Sequence, residues 1–122
     1  MRQVELWRQG RVRTVERITS RDEADARVLD HLAGLGCDPA HPRECRHYFY
    51  VPAEPGAHAV ARTLNARDGW DAAVEAAPDA WLVVATTVTR LDGDLVRATR
   101  RGMEALADHH GGEYDGWEAA AD

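Results

Sequence analysis

Residues 111–117 read GGEYDGW, and this stretch decides the fold. Two glycines end the helix before it, because glycine adopts the left-handed backbone that closes helices at little cost. The large rings of Tyr114 and Trp117 that follow seldom lie on a surface without a packing or binding role. We therefore interpret residues 113–117 as a final β-strand that returns directly from a helix.

The residues before this strand alternate between strand and helix patterns. Asp92 suits the N-cap of a helix, and the apolar spacing after it predicts a buried stripe of Leu95, Thr99, Met103, Leu106 and His110. Upstream, residues 81–88 predict a central strand and residues 70–76 a strand with one wetter face. An apolar stripe of Ala57, Val60, Ala61 and Leu64 predicts a helix, and residues 46–51 predict the first strand.

The resulting order, βαββαβ, is typical of an α+β, ferredoxin-like fold, in which two helices cover one face of an antiparallel sheet. An extra helix from Ser20 to Gly36 precedes it, because Ser20 and Glu23 form a capping box. We predict one domain over residues 20–122. Residues 1–19 form a basic N-terminal arm or a loose hairpin.

Charge is divided unevenly along the 122 residues, which carry a net charge of −6. Residues 1–21 hold six Arg and two Glu, whereas the rest hold nine Arg and nineteen acidic residues. An acidic body repels a phosphate backbone, so direct nucleic-acid binding is disfavoured there. No stretch approaches the length of a membrane span, and an apolar signal core is absent from the N-terminus, so we expect a cytoplasmic protein.

The sequence does not predict an enzyme. Ser20 is the only serine and is better explained as a helix cap than as a nucleophile. The set Cys37, His41, Cys45 and His47 suits zinc chemically, but its spacing matches none of the usual paired ligands. We therefore interpret the cysteines as ordinary buried thiols, with no metal or cofactor.

Aromatic and acidic residues are expected to meet on the sheet face away from the helices. If Phe49 and Val51 face the helices, Tyr48 and Tyr50 emerge on the other side. Asp71 and Glu75 lie on the polar side of the next strand, and the final strand would pair beside the first. The predicted partner-binding residues are Tyr48, Tyr50, Asp71, Glu75, Glu113, Tyr114, Asp115 and Trp117. The alternative is that these rings only close the edge of the core.

The sequence resembles the RraB family of ribonuclease E inhibitors. The likeness covers roughly residues 20–118 and rests on HYFY at residues 47–50, a tryptophan-led strand and GGEYDGW at residues 111–117. The resemblance implies a non-catalytic regulator that binds ribonuclease E, or an equivalent RNA-processing enzyme, and modulates transcript decay.

Two alternatives remain at this stage. An RNA-binding module would stack bases on the sheet aromatics and use the arginines of the arm, Arg2, Arg8, Arg11, Arg13 and Arg17. A self-associating module would pair its sheet face with a second copy of the chain.

Overall fold

A computed structural model describes residues 11–13 and 21–121 of the chain. The elements are β1 (Arg11–Arg13), α1 (Arg21–Gly34), β2 (Arg43–Val51), α2 (Glu54–Asn65), β3 (Trp70–Ala76), β4 (Trp81–Thr89), α3 (Gly93–His109) and β5 (Glu113–Ala120). The predicted α+β class is confirmed. The predicted arm lies outside the described residues except for β1, and so does Ser20 of the capping box.

The five strands form one antiparallel sheet in the order β1-β5-β2-β4-β3. Each helical crossover spans an intervening strand: α2 joins β2 to β3 across β4, and α3 joins β4 to β5 across β2. The remaining connection, between β3 and β4, is a tight turn in which Ala77 N donates to Ala80 O at 3.0 Å. Both βαβ units are therefore split by a strand from the other unit.

The helix α2 forms where the sequence predicts it. Glu54 and a proline occupy its first turn, where a missing N–H costs nothing and negative charge is favoured. Its buried residues are those of the predicted stripe, Ala57, Val60, Ala61 and Leu64. They join the main core cluster with Val83 and Ala85 of β4, so α2 packs on the sheet through apolar contacts.

The start of α3 is also as predicted, since Oδ1 of Asp92 accepts hydrogen bonds from the backbone N–H groups of Asp94 and Leu95 at 2.9 and 3.1 Å. The buried stripe of α3, however, differs from the predicted one. The buried residues are Val96, Arg100, Met103 and Ala107, and only Met103 belongs to the predicted set. The predicted stripe omits Arg100, which is buried against the carboxylates of Asp25 and Asp22 of another helix.

All three helices pack on one side of the sheet. Val28 and Leu32 of α1 share the core cluster with Phe49 and Trp117 of the sheet, and α1 also contacts α3. On the opposite side, the described residues that pack against Tyr48 and Leu82 are Tyr50 and Val84 of the strands and Ala77 of the β3–β4 turn.

That opposite side is nevertheless only partly accessible. Tyr48 is 2% exposed, Leu82 is 1% exposed and Glu118 is fully buried, although all three point away from the helices. Tyr48 and Leu82 form a small second cluster with Tyr50 and Val84 beside them. The expectation of an uncovered face is therefore wrong for the middle of this face, whereas Asp71 and Glu75 of β3 and Glu113 of β5 are exposed on it.

Candidate partner-binding surface

One row of side chains crosses the sheet face away from the helices. Glu113 of β5 is paired with Tyr50 of β2, Tyr50 with Leu82 of β4, and Leu82 with Glu75 of β3. We call these four residues the acidic row, because a carboxylate lies at each end. With strands about 4.8 Å apart, the two ends are roughly 14 Å from each other.

The ends of the acidic row are accessible and its middle is apolar. Glu75 and Glu113 are exposed, Tyr50 is half-buried, and Leu82 is buried between them. A half-buried tyrosine offers an apolar ring and a polar hydroxyl, a combination that is common at protein interfaces. The acidic row can therefore contact a partner through charge at both ends and through a ring between them.

A second charged row lies about 13 Å along the strands, four residues away at the strand rise. It contains Asp71, Thr86, Arg46 and Glu118 in register across β3, β4, β2 and β5. Asp71 is exposed and extends the acidic surface of Glu75 along β3. Asp71 and Glu75 thus lie on one face with Tyr50, as the alternation of their strands predicts.

Tyr48 lies between these rows but offers little to a partner. Its hydroxyl donates to Oε2 of Glu118 at 3.4 Å, deep in the face. Burial and the nearby Glu118 carboxylate raise the pKa of Tyr48 above its ordinary value. The prediction that Tyr48 faces away from the helices is confirmed, but its ring is covered.

Tyr114 and Trp117 lie on the helix side of the sheet, so the prediction that they join the tyrosine face is wrong. A register shift in the β2–β5 pairing places Tyr114 opposite Phe49 and Gly116 opposite Tyr48. Asp115 is therefore the extra residue of a bulge, and Gly116 has a positive φ of 112°, which disfavours any residue with a side chain. The bulge reverses the alternation after Tyr114 and turns Trp117 inward, opposite His47.

Tyr114 is held by a buried histidine. Its hydroxyl lies 2.7 Å from Nδ1 of His47, and its ring packs against that of Phe49. Burial lowers the pKa of His47 to about 3, so the imidazole is neutral at physiological pH. Burial also raises the pKa of Tyr114. The pair therefore serves packing in a dry environment rather than proton exchange with solvent.

Trp117 is held by a buried ion pair. Its Nε1 donates to Oδ1 of Asp25 at 2.8 Å, and Oδ2 of the same carboxylate accepts from Nε of Arg100 at 2.8 Å. Arg100 also bonds Glu104 at 2.8 Å and Asp22. Burial works against the charged form of Arg100, but the Asp25 and Glu104 carboxylates raise its pKa overall. This network ties α1, α3 and β5 together.

The glycines of GGEYDGW at positions 111 and 112 also have structural roles. Gly111 has a φ of +68° at the end of α3, as expected of a residue that closes a helix. A Cβ at Gly112 would meet the carbonyl oxygen of Tyr50 at 2.8 Å, closer than side-chain atoms approach backbone. Asp115 is fully buried in the bulge, so the expectation that it points outward with Glu113 is wrong. The segment therefore builds the fold, and Glu113 is its one exposed side chain.

Asp25 and Arg100 were missed by the sequence interpretation. A signal was present, because Asp25 lies next to Ala24 on the stripe that buries Val28 and Leu32. An acidic residue on an apolar stripe indicates a buried partner of opposite charge. The position of that partner, 75 residues away, could not be found from local spacing.

The residues considered as zinc ligands do not come together. Among the described residues, no three His, Cys, Asp or Glu side chains are grouped closely enough to hold a metal. Both cysteines are buried and unpaired with each other, and His41 is exposed in the loop before β2. Burial raises the pKa of the Cys45 thiol to about 12, which disfavours the thiolate that zinc requires.

No described helix is long and apolar enough to cross a membrane.

Comparison with known proteins identifies the family. No individually curated protein matches the chain, but the family profile of Regulator of ribonuclease activity B (RraB) matches residues 22–119. That range includes α1, both split βαβ units and nearly all of β5. The chain therefore belongs to the RraB family, whose members are regulators of ribonuclease activity.

Proposed function

We propose that this chain is a non-catalytic protein that regulates RNA decay by binding an RNA-cleaving enzyme, either ribonuclease E or an equivalent RNA-processing enzyme. The observation that carries this proposal is the family match over residues 22–119. Its site of action would be the cytoplasm, where transcripts are degraded, and it would need no cofactor. We also assign the fold to the ferredoxin-like group, over a single domain from residue 20 to residue 122, because both βαβ units are split.

The acidic row and Asp71 are the proposed contact surface. An enzyme that binds RNA must present positive charge to the phosphate backbone. Glu75, Glu113 and Asp71 are exposed on one face and would complement such a surface. Complementary charge speeds encounter and fixes orientation, while Tyr50 would supply buried contact area. Binding there would compete with RNA.

The other residues of the predicted partner site are proposed to act indirectly. Tyr48, Tyr114, Asp115 and Trp117 are all buried, so they would support the strands that display the acidic row. Replacing them would weaken binding through loss of fold rather than loss of contact. For this reason they are poor choices for testing the interface.

The test is a double charge reversal, Glu75→Arg with Glu113→Arg, at both ends of the acidic row. Binding to purified ribonuclease E would be measured by surface plasmon resonance at two salt concentrations, with transcript cleavage followed in parallel. We expect binding at least about ten-fold weaker, because like charges across an interface cost several kcal/mol. The parent chain should lose affinity as salt rises, and the variant should lose less.

The matched control reverses two exposed acids elsewhere, Asp30→Arg with Asp108→Arg, which lie on α1 and α3. It changes the net charge equally but leaves the acidic row intact, so its affinity should stay close to that of the parent chain. Equal loss in both variants would indicate a general charge effect and contradict the proposed surface. Retained binding in the Glu75/Glu113 variant would contradict it directly.

A separate gel-shift experiment addresses the RNA-binding alternative. The accessible strand residues on this face include Asp71, Glu75 and Glu113, which do not favour a phosphate backbone. Direct binding would appear as a gel shift of RNA alone that disappears when residues 1–19 are removed. That result would replace the regulator proposal with an RNA-binding module.

A further inference from the structure

Among the described strands, β3 forms one edge of the sheet and is paired with β4 alone. Along an antiparallel edge strand, alternate residues turn their N–H and C=O groups away from the neighbour. In β3 these residues are Trp70, Ala72, Val74 and Ala76. Such outward groups form a template on which another strand can pair.

At Ala72, the outward backbone groups are already bonded by the side chain of Asn65. The Ala72 N–H donates to Oδ1 of Asn65 at 2.7 Å, and Nδ2 of Asn65 donates to the Ala72 carbonyl at 3.0 Å. One side-chain amide therefore makes both bonds that a neighbouring strand would make at this residue. Asn65 is the last residue of α2, and the chain returns to β3 through Gly69, whose φ is +82°.

The ends of the edge are closed by the backbone. The Trp70 N–H donates to the Arg67 carbonyl at 3.3 Å, and beyond Ala76 the chain turns at Pro78, which has no N–H. Among the described residues, none bonds the outward groups of Val74 and Ala76. With Asn65 in place, Val74 and Ala76 are the described positions of this edge at which both outward groups remain open.

We propose that Asn65 guards this edge against strand pairing with a second copy of the chain. Symmetric antiparallel pairing about Val74 would place Ala72 opposite Ala76 of the other copy, and Glu75 opposite Ala73. No like charges would face each other directly, so charge alone does not prevent this pairing.

The amide of Asn65 does prevent it. While Asn65 holds Ala72, only the central Val74 pair could exchange hydrogen bonds, and this is too short an edge for a stable pairing. Releasing Ala72 would add a bonded pair on each side of Val74. The role of Asn65 at this edge does not depend on a ribonuclease partner.

The test is Asn65→Ala, followed by sedimentation velocity over a range of protein concentrations. Alanine is a better helix former than asparagine, so the end of α2 should be retained. We expect dimerisation at least about ten-fold tighter than in the parent chain, because a net hydrogen bond is worth roughly a factor of two to ten and a bonded pair is added on each side of Val74. Asn65→Asp keeps the acceptor and loses the donor, so its association should lie between the two.

A second substitution locates the new contact. Adding Val74→Pro to Asn65→Ala removes an outward N–H without removing a bond to β4, so association should return to the parent level. The proposal is overturned if a folded Asn65→Ala or Asn65→Asp chain associates no more strongly than the parent. It is also overturned if Val74→Pro leaves the new association unchanged.

Discussion

The two βαβ units of this sheet are stabilised in different ways. The unit β2–α2–β3 packs its helix through small and aliphatic side chains, with Val60 and Leu64 fully buried. The unit β4–α3–β5 buries Arg100 instead, and its charge is balanced by Asp25 of α1. One unit therefore depends on apolar packing, and the other depends on a charged network that also holds Trp117.

This difference separates structural residues from accessible ones. The α3 unit contains most of GGEYDGW, whose large side chains are directed into the network and the core. The α2 unit carries Asp71, Glu75 and the edge guarded by Asn65, all on the outside of the sheet. The GGEYDGW segment therefore mainly specifies the fold, whereas residues of β3 that belong to no recognisable motif are exposed on the outer face of the sheet.

The largest expected effect comes from breaking the charged network. Asp25→Ala leaves the Arg100 guanidinium buried without its main partner and removes the acceptor of the Trp117 indole N–H. We expect the free energy of unfolding to fall by about 3–5 kcal/mol, as for other buried ion pairs that lose one member. Urea denaturation followed by circular dichroism would measure it.

Asp30→Ala is the matched control, since Asp30 is an exposed carboxylate on the same helix and should change stability by no more than about 0.5 kcal/mol. Replacing Arg100 by Met together with Asp25→Leu should recover much of the loss, because no unpaired charge then remains fully buried and the carboxylates of Asp22 and Glu104 can reach solvent. A loss for Asp25→Ala as small as that for Asp30→Ala would show that the network does not stabilise this half.

The apolar unit should respond to loss of volume rather than of charge. Leu64 is fully buried, so Leu64→Ala should lower the free energy of unfolding by about 3 kcal/mol, within the range of 2–5 found for buried leucine. Leu64→Met keeps the volume and should cost less than about 1.5 kcal/mol. Urea denaturation tests both, and equal effects of the two variants would contradict apolar packing as the source of stability.

The smallest effect is a dependence on pH that comes from His47 of β2, whose imidazole contacts Tyr114 of β5 across the two units. The pKa of His47 is lowered to about 3 in the folded protein, whereas in the unfolded chain it returns to about 6.5. Between these values the unfolded state binds the extra proton, so stability is full above pH 6.5 and decreases as the pH falls towards 3. From pH 6 to pH 5 we expect a loss of about 1 kcal/mol from this group.

The comparison is with His47→Gln, in which this contribution cannot titrate. The difference in free energy of unfolding between parent and variant should shrink as the pH falls, as measured by urea denaturation at pH 7, 6 and 5. Parallel pH profiles would contradict a buried neutral histidine.

Much of the architecture could be predicted from local patterns. The stripe of α2, the cap at Asp92 and the limits of β3 all follow from spacing and residue type, which act over a few neighbouring residues. Alternation along each strand also placed Tyr50, Asp71 and Glu75 on one face. Of the predicted partner residues, those that remain accessible are these three and Glu113.

The rest was decided by tertiary structure. One extra residue at Asp115 reverses the alternation of β5, and neither the bulge nor its register with Tyr48 follows from spacing within the strand. Arg100 is buried because Asp25, 75 residues earlier, supplies its counter-charge, so no local pattern could assign it to the core. Local spacing sets the order and type of the elements, because periodicity and capping act between near neighbours in the chain. The inward-facing side chains of β5 and α3 depend instead on pairing across the sheet and between helices, because those contacts join residues far apart in the chain.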